Sequence, residues 1–381
     1  MGIQVVAGLS LRNLHPPVWD PDSPYFLEAL KALMVSYAEF PRNQTRPTQP
    51  DQEPEHIDSP KRQQAMKEGL RDFLGVPKGV AIFLDNGAFN LSSKGLTTDV
   101  EQYQRFVEAA GPDWKPIAQD FIPLPSMSDE EQKQCLTKTM AMNRQHEHDG
   151  YAPVIHISPL LAEYLEQLLG DENLARKGDV ALGAIVPNLL RAKKAMAYDA
   201  VIQGLGDTRK VLAGKQLHVF GIGGTATLHL AALLGFDSAD SCGWRNRAAR
   251  GIVQLPGSGD RTLVEMGSWR GRKPNEREWD LLAECVCPPC QQHGVDGLKA
   301  DKLPGFCHRA THNLWVLLQE AEWIDQQIAA GTYEANYRDR LDNSIYLPLV
   351  ERVAETLGGP TSCIPAQGQQ PQADAGTSAP A

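Results

Sequence analysis

The sequence predicts an α/β fold, and within that class a (β/α)8 TIM barrel, from two observations. Short apolar runs rich in strand-forming residues recur along the chain, separated by intervals long enough for a helix. Several of these runs are followed directly by a polar residue or a glycine, as near Asp85, Asp120 and Gly221. A TIM barrel places its active site at such strand ends. A doubly wound open sheet stays open as the alternative, because periodicity alone does not separate the two folds.

The predicted strands follow one another in chain order, and two segments fall outside their alternation with helices. Residues 41–60 are rich in proline and glutamine, which predicts a long surface loop. Residues 360–381 carry too few apolar side chains to offset the entropy of ordering, which predicts a disordered tail. The predicted strands are Ile3–Ala7, Val80–Leu84, Pro116–Ala118, Pro153–Ile157, Val180–Val186, Leu217–Phe220 and Thr262–Met266.

The composition excludes several classes of protein. The 381 residues include 37 Lys and Arg against 47 Asp and Glu, so the formal net charge is −10 and any contact with nucleic acid must come from local basic patches. The mean hydropathy is −0.35, and no apolar run reaches the roughly 18 residues of a membrane span. The N-terminus shows no secretion signal, so we expect a cytoplasmic protein with no membrane partner.

A cluster of thiols suggests a metal site near the C-terminal end. Cys285, Cys287 and Cys290 lie within six residues of one another, and three thiolates with one imidazole complete the tetrahedral shell of a structural zinc ion. We assign this Zn2+ to Cys285, Cys287, Cys290 and His312, with Cys307 and His308 as rival ligands. An amphipathic stretch begins at His312, so this ligand is expected at the start of a helix. Unbound surface thiols or a redox pair are the alternatives.

Three aspartates, Asp85, Asp120 and Asp240, follow or end presumed strands. Each one alone is more often a helix N-cap or a turn residue than a catalyst. Carboxylates that converge at the mouth of a barrel suit chemistry at the anomeric carbon of a sugar, where one attacks and another moves the proton.

These residues stand in an order that resembles the tRNA-guanine transglycosylase superfamily, which exchanges a guanine in a polynucleotide for a 7-deazaguanine base. The resemblance covers roughly residues 80–328 and rests on five segments in order. They are Leu84-Asp85-Asn86-Gly87-Ala88-Phe89, Gln119-Asp120-Phe121, Ala181-Leu182-Gly183-Ala184-Ile185, the run from His218 to Asp240, and the cysteines with His312-Asn313-Leu314.

The resemblance implies a TIM barrel over residues 1–359 that includes a zinc-binding subdomain at residues 283–330, with roles for particular residues. Asp240 is implied as the nucleophile at C1′ of the sugar, and Asp85 as the residue that gives and accepts the proton. The base edge would be read by Asp120, by the backbone around Gly183 and Ala184, and by His156, which stands where bacterial tRNA enzymes have a glutamine.

The acceptor is expected to be DNA, because the chain departs from the tRNA enzymes after Asp240. Their Pro-Thr-Arg run is replaced by Ser241-Cys-Gly-Trp-Arg-Asn-Arg-Ala-Ala-Arg-Gly251, and no added RNA-binding domain follows. A branch of the superfamily inserts 7-deazaguanines into DNA, and tRNA stays open as the alternative acceptor. Nucleic-acid contacts are assigned to Trp244, Arg245, Arg247 and Arg250, with Arg270, Arg272 and Lys273. A homodimer and accessory modification proteins are expected partners.

Two other classes of function stay open. A metal-dependent barrel hydrolase would need a catalytic metal, and the sequence lacks paired histidines after an early strand. A catalytically inactive nucleic-acid-binding module is disfavoured, since all three aspartates are present.

Overall fold

The computed structural model describes residues 2–40, 42–44, 56–89, 98–119, 121–189, 191–267 and 270–356. The predicted tail at residues 360–381, most of the predicted loop at 41–60, and Asp120 lie outside the described residues. Residues 42–44 and 56–58, at the two ends of that loop, pair as a short antiparallel ribbon.

The centre of the fold is a curled sheet of seven parallel strands, in the order β5-β2-β1-β9-β8-β7-β6. Parallel strands buried on both faces read as apolar runs, which is why the strand segments consist largely of Val, Leu, Ile and Ala. The α/β class is thereby confirmed. The strands are β1 Gln4–Gly8, β2 Ala32–Ser36, β3 Arg42–Gln44, β4 His56–Asp58, β5 Ala81–Asp85, β6 Val154–His156, β7 Asp179–Gly183, β8 Gln216–Val219, β9 Ser238–Ser241, β10 Ile252–Leu255 and β11 Gly259–Thr262.

The two edges of the sheet both contact the segment 114–117. Phe83 of β5 forms a parallel bridge with Trp114, and Pro116 forms another with Ala152, just before β6. The Leu84 N–H donates to the Trp114 carbonyl at 2.9 Å, and the Ile117 N–H donates to the Ala152 carbonyl at 2.8 Å. The sheet therefore curls far enough for one short segment to hydrogen-bond to both edges.

Helices follow most strands and cover the outside of the sheet. Asp99 caps the third helix by accepting a hydrogen bond from the Gln102 N–H, and Gly111 ends that helix in the left-handed conformation. The residues at both ends of this helix are therefore ones that favour its start and its end. The helices are α1 Pro60–Glu68, α2 Leu70–Leu74, α3 Val100–Ala110, α4 Asp129–Gln145, α5 Leu161–Leu169, α6 Glu172–Arg176, α7 Ile185–Leu189, α8 Tyr198–Val211, α9 Thr225–Leu233, α10 Gly243–Ala248, α11 Glu276–Ala283, α12 Pro288–Lys299, α13 Lys302–Ala329, α14 Tyr333–Arg340 and α15 Leu347–Thr356, with a 3-10 turn at Tyr37–Glu39.

The structure corrects several predicted boundaries. The predicted strand Thr262–Met266 is wrong, because the chain there leaves the hairpin of β10 and β11, which lies outside the parallel sheet. The predicted strand Val180–Val186 ends at Gly183, where the backbone turns into α7. Strands β2 and β9 were not predicted, although both are short apolar or mixed runs buried in the sheet centre.

In the described part of the chain, no helix combines the length and apolar character needed to cross a membrane.

Candidate active site and zinc centre

Asp240 lies on β9 and points its carboxylate at the end of the neighbouring strand β8. Its Oδ1 accepts a hydrogen bond from the Gly221 N–H at 2.7 Å, and the His218 Nε2 lies 3.5 Å from the same oxygen. His218 is fixed from its other side, where Nδ1 lies 2.8 Å from the Ser238 hydroxyl. The carboxylate is thus held in one orientation at the carboxyl end of the sheet, with its residue 9% exposed.

The loop after β8 approaches the β9 backbone so closely that it requires glycine. Gly221 has a φ of +80°, which favours glycine, and its N–H reaches the Asp240 carboxylate. A Cβ on Gly223 would lie 2.7 Å from the Asp240 carbonyl oxygen. The glycines therefore serve the close approach of the loop after β8 to strand β9.

Asp85 ends β5 and is half-buried, at the same carboxyl edge. Burial raises the pKa of its carboxyl from 3.8 to about 6, and the negative charge of Asp240 adds to that rise. The Ser36 hydroxyl, the Gly87 N–H and the nearby His218 lower the pKa again, but they do not outweigh the burial. Asp85 therefore lies within electrostatic reach of Asp240 and keeps its proton to a higher pH than a free carboxyl group, as a general acid must.

Several buried polar groups lie together where β6 and β7 end. His156 is buried, and its Nε2 lies 3.4 Å from the Gln119 side-chain oxygen while its Nδ1 has no partner among the described residues. Burial lowers the pKa of His156 to about 3, so the ring is neutral. A Cβ on Gly183 would lie 2.7 Å from that Nδ1, so glycine leaves room for the imidazole. Ala184 has a φ of +62°, and such backbone strain is concentrated at ligand sites.

Asn86, the residue after Asp85, contacts the segment that carries Gln119. Its amide donates to the carbonyls of Ile117 and Gln119, both at 3.2 Å, and so fixes the end of the segment that carries Asp120. Asp120 itself was predicted to read the base edge, and it lies outside the described residues.

The four predicted zinc ligands come together. The ligand atoms of Cys285, Cys287, Cys290 and His312 all lie within 4.8 Å of one another. The His312 Nδ1 faces the three sulfurs at 3.4 to 3.6 Å, and its Nε2 lies 3.0 Å from the Gln254 carbonyl, which fixes the ring as an outer partner does in known zinc sites. This donor set and its burial fit a structural zinc ion.

The rival ligands lie elsewhere. His308 places its Nδ1 2.8 Å from the Gly297 carbonyl and stacks on His293. The cluster of potential ligand atoms in the described part of the chain includes neither His308 nor Cys307. The prediction that His312 begins a helix is wrong, since α13 starts ten residues earlier at Lys302. His312 instead lies on the buried face of a 28-residue helix, which carries the zinc centre against the body of the fold.

The family of the chain follows from comparison with known proteins. The model of the family described as queuine tRNA-ribosyltransferase matches residues 54–344. The chain belongs to this family.

Curated relatives in the queuine tRNA-ribosyltransferase family carry the name tRNA-guanine(15) transglycosylase. The protein from Methanococcus aeolicus is 24% identical over 278 residues, which cover 70% of this chain and 40% of the relative. The protein from Haloarcula marismortui is 28% identical over 288 residues, which cover 71% of this chain and 52% of the relative. The protein from Methanocaldococcus jannaschii is 28% identical over 286 residues, which cover 71% of this chain and 40% of the relative. The chain spans about half the length of these relatives or less.

Two of the residues predicted to contact nucleic acid are core residues in this member of the family. Trp244 is fully buried and donates its indole N–H to the Gly8 carbonyl at 3.1 Å, so its ring offers no face for stacking on a base. Arg245 is 7% exposed and donates to the carbonyls of Asn13 and His15, which ties the N-terminal loop to α10. The prediction for these two side chains is corrected, because α10 turns them inward.

The other predicted basic residues lie at the surface. Arg247 donates its Nε to Asp260 at 2.6 Å, and Arg250 is exposed. Arg270 and Lys273 both lie near Glu265, at 3.7 and 3.2 Å, while Arg272 is exposed and hydrogen-bonds to Asn343.

Sequence reasoning missed several residues that shape the site. Asn86 and Gln119 stand in the quoted motifs but gave no pattern that assigns them a role. His218 is flanked by Trp114 and Phe220, with ring centroids at 4.9 and 4.8 Å, and only tertiary structure brings it to Asp240. Phe89 is 67% exposed and stands four residues after Asp85 in the chain, and no pattern in the sequence indicated its exposure.

Proposed function

We propose that this protein exchanges a guanine base in a polynucleotide for a 7-deazaguanine base by double displacement. The observation that carries the proposal is the pair Asp240 and Asp85, in which one carboxylate is held by a backbone N–H and the other has a pKa raised to about 6. Family membership supports the same chemistry.

In the first displacement, an oxygen of Asp240 attacks C1′ of the target nucleotide. The bond from C1′ to the guanine nitrogen breaks, its electron pair goes to guanine, and Asp85 supplies the proton that makes guanine a neutral leaving group. The carboxylate of Asp240 is oriented by the hydrogen bond from the Gly221 N–H, so little reorganisation precedes the attack.

In the second displacement, a ring nitrogen of the incoming base attacks C1′ from the face that guanine left. The ester bond to Asp240 breaks, the carboxylate is released, and Asp85 accepts the proton that the incoming base loses. Two inversions give net retention at C1′. A residue that gives and takes a proton at neutral pH works best with a pKa near 7, and the raised pKa of Asp85 moves it toward that value.

The base would lie against His156, Gln119, Gly183 and Ala184. The neutral ring of His156 has an unpartnered Nδ1, and the Gln119 amide lies beside its Nε2, so hydrogen-bonding groups are available for the edge of a purine-like base. Asp120 stays a prediction for the same edge.

The acceptor that the comparisons favour is tRNA, since the similar proteins are named for tRNA guanine. DNA is the second candidate, on the altered run from Ser241 to Gly251, although two of the residues that distinguished this run, Trp244 and Arg245, have core roles.

We also propose that the curled sheet is a complete eight-stranded barrel, with the segment 114–118 as its eighth strand. The hydrogen bonds from that segment to both sheet edges support this closure. The zinc-binding part at residues 283–330 would then be an insertion that packs on the barrel through α13.

The test supplies the protein with labelled guanine, and separately with a 7-deazaguanine base, in the presence of bulk tRNA or duplex DNA. Label should enter one polynucleotide with the wild type and not with Asp240→Asn, which is nearly isosteric but a poor nucleophile. Asp296→Asn, on the exposed side of α12, is the matched control and should exchange at the wild-type rate. Exchange by Asp240→Asn at that rate would refute the assignment of the nucleophile.

A further inference from the structure

A cavity lies at the start of α9, where the chain leaves the loop after β8. It has a volume of about 300 Å³ and is lined by the first turn of α9 at Thr225, by Gln254 of β10, and by Arg247, Arg261 and Arg272. Ligand sites begin at about this size, and three arginines stand out on a chain whose net charge is −10.

The cavity adjoins the residues that position Asp240. The Gly223 N–H donates to the Asp240 carbonyl at 2.9 Å, and the next residue, Gly224, is the N-cap of α9. From the other side, a Cβ on Gly243 would lie 2.0 Å from the Arg247 Nη1 and 3.0 Å from the Ser241 hydroxyl. The Arg247 guanidinium therefore lies over the turn that immediately follows the nucleophile.

A buried side chain without a partner lines this cavity. Gln254 is 1% exposed, and its Oε1 makes no hydrogen bond within the described part of the chain. Its backbone N–H and carbonyl are both used toward α13, by Asn313 and His312, so the side chain is the part that borders the cavity. An amide can present either its oxygen or its NH2 group after rotation about the last bond, and a buried amide is costly unless a ligand or water pairs with it.

Among the described residues that line the cavity, Arg272 is the arginine without a carboxylate partner, and the terminal nitrogens of Arg247 donate to no described residue. Arg261 is engaged with Glu278, at 2.8 and 2.5 Å, and forms part of the wall. Arg247 uses only its Nε among the described residues, toward Asp260, and Arg272 is exposed beside Asn343. Asp260 is the acidic group in the lining, and its charge is paired with Arg247.

The helix end adds donors to these cations. The N-cap of α9 is Gly224, which has no side chain to accept from the first N–H groups of the helix. Such N–H groups, together with the positive end of the helix dipole, bind phosphate oxygens in many proteins. In barrel enzymes a phosphate site is frequently formed by the last two strand-end loops and a helix start.

We propose that this cavity binds a phosphodiester group of the polynucleotide next to the reacting nucleotide, through Arg247, Arg272, the Gln254 amide and the first turn of α9. The inference rests on the proposed function. It adds that the bound phosphodiester group places the sugar of the target nucleotide over Asp240. A flipped nucleotide has to be held by its backbone while its base occupies a separate pocket.

The experiment measures binding in the Asp240→Asn background, with a short oligonucleotide of the acceptor that the wild type modifies. Each phosphate near the target guanosine is replaced in turn by a neutral methylphosphonate. One neutral linkage beside the target should weaken binding roughly tenfold, as expected for the loss of charged hydrogen bonds.

Arg272→Gln and Gln254→Met should weaken binding of the natural oligonucleotide similarly and should show no further loss with that linkage. Arg272→Gln should also lower the salt dependence of log K by about 1.

Arg277→Gln is the matched control, because its side chain is 79% exposed and lies outside this cavity. It should respond to each methylphosphonate as the parent does. Equal losses for every linkage in all variants would overturn the inference. Stabilisation of the parent but not of Arg272→Gln by inorganic phosphate alone, without a linkage-specific loss, would assign the cavity to free phosphate and overturn it as well.

The proposed function fails in a different way. If the wild type transfers no labelled base to tRNA or DNA, the base exchange is refuted. If the wild type exchanges base and Arg272→Gln does so with an unchanged KM for the polynucleotide, only the phosphodiester site is refuted.

Discussion

Replacing Asp85 by asparagine should stabilise the fold while it impairs base exchange. The pKa of this carboxyl rises from 3.8 to about 6 on folding, chiefly through burial. Each pKa unit corresponds to about 1.4 kcal/mol, so the ionised carboxylate destabilises the folded chain by about 3 kcal/mol above pH 6. Asparagine resembles the neutral acid and avoids this cost.

The sign of the pH dependence follows from the raised pKa. Between about pH 4 and 6 the folded chain binds a proton that the unfolded chain does not, so the wild type regains stability relative to the variant as the pH falls. The difference should therefore shrink from about 3 kcal/mol at pH 7.5 to about half of that at pH 5.

Urea unfolding of wild type and Asp85→Asn at the two pH values, with zinc present, measures this difference. Asp296→Asn removes an exposed carboxylate, which is 95% accessible in its side chain, and should leave stability unchanged at both values. A variant that is no more stable than wild type at pH 7.5, or whose gain is the same at pH 5, would refute the argument from burial. Loss of exchange without that gain would show that Asp85 acts without the raised pKa.

Further predictions concern the zinc centre and the base pocket. Cys287→Ser and His312→Ala should each lose the single zinc ion per chain and much stability, because zinc binding is coupled to folding. His308→Ala should keep the metal, and elemental analysis of the three variants distinguishes these outcomes. Gly183→Ala should lower the free energy of unfolding by about 1–3 kcal/mol and raise the KM for the base, since its Cβ would lie 2.7 Å from the His156 ring. Gly178→Ala is the control, because its Cβ would meet open space, and it should change neither quantity. Because burial lowers the pKa of His156 to about 3, the wild type should lose about 2 kcal/mol relative to His156→Gln between pH 7.5 and 5, where only the unfolded chain protonates this ring. Equal pH dependence in urea titrations would contradict that pKa.

The zinc centre shows how a ligand set can be predicted while its setting cannot. Thiols within six residues of one another can reach one metal ion through a local turn of the chain, so Cys285, Cys287 and Cys290 were predictable from spacing. The choice of His312 over His308 depends on which face of α13 meets the thiol loop, and the start of α13 was predicted ten residues too late. A helix that is buried on most of its length shows little contrast between its faces, which hides its true start.

The sequence by itself determined the α/β class, the order of the strand-end motifs, three of the metal ligands by spacing and all four with the family resemblance. These properties follow from local patterns, since strand-forming runs, glycine turns and clustered thiols act over a few residues.

Only the tertiary structure decided which polar groups meet. His218 reaches Asp240 because β8 and β9 pair side by side, and burial at the end of β5 raises the pKa of Asp85. The inward turn of Trp244 and Arg245 depends on packing against Gly8 and the N-terminal loop, more than 200 residues away in the chain. Long-range burial and strand pairing set charge, orientation and exposure, and no local pattern in the sequence records them.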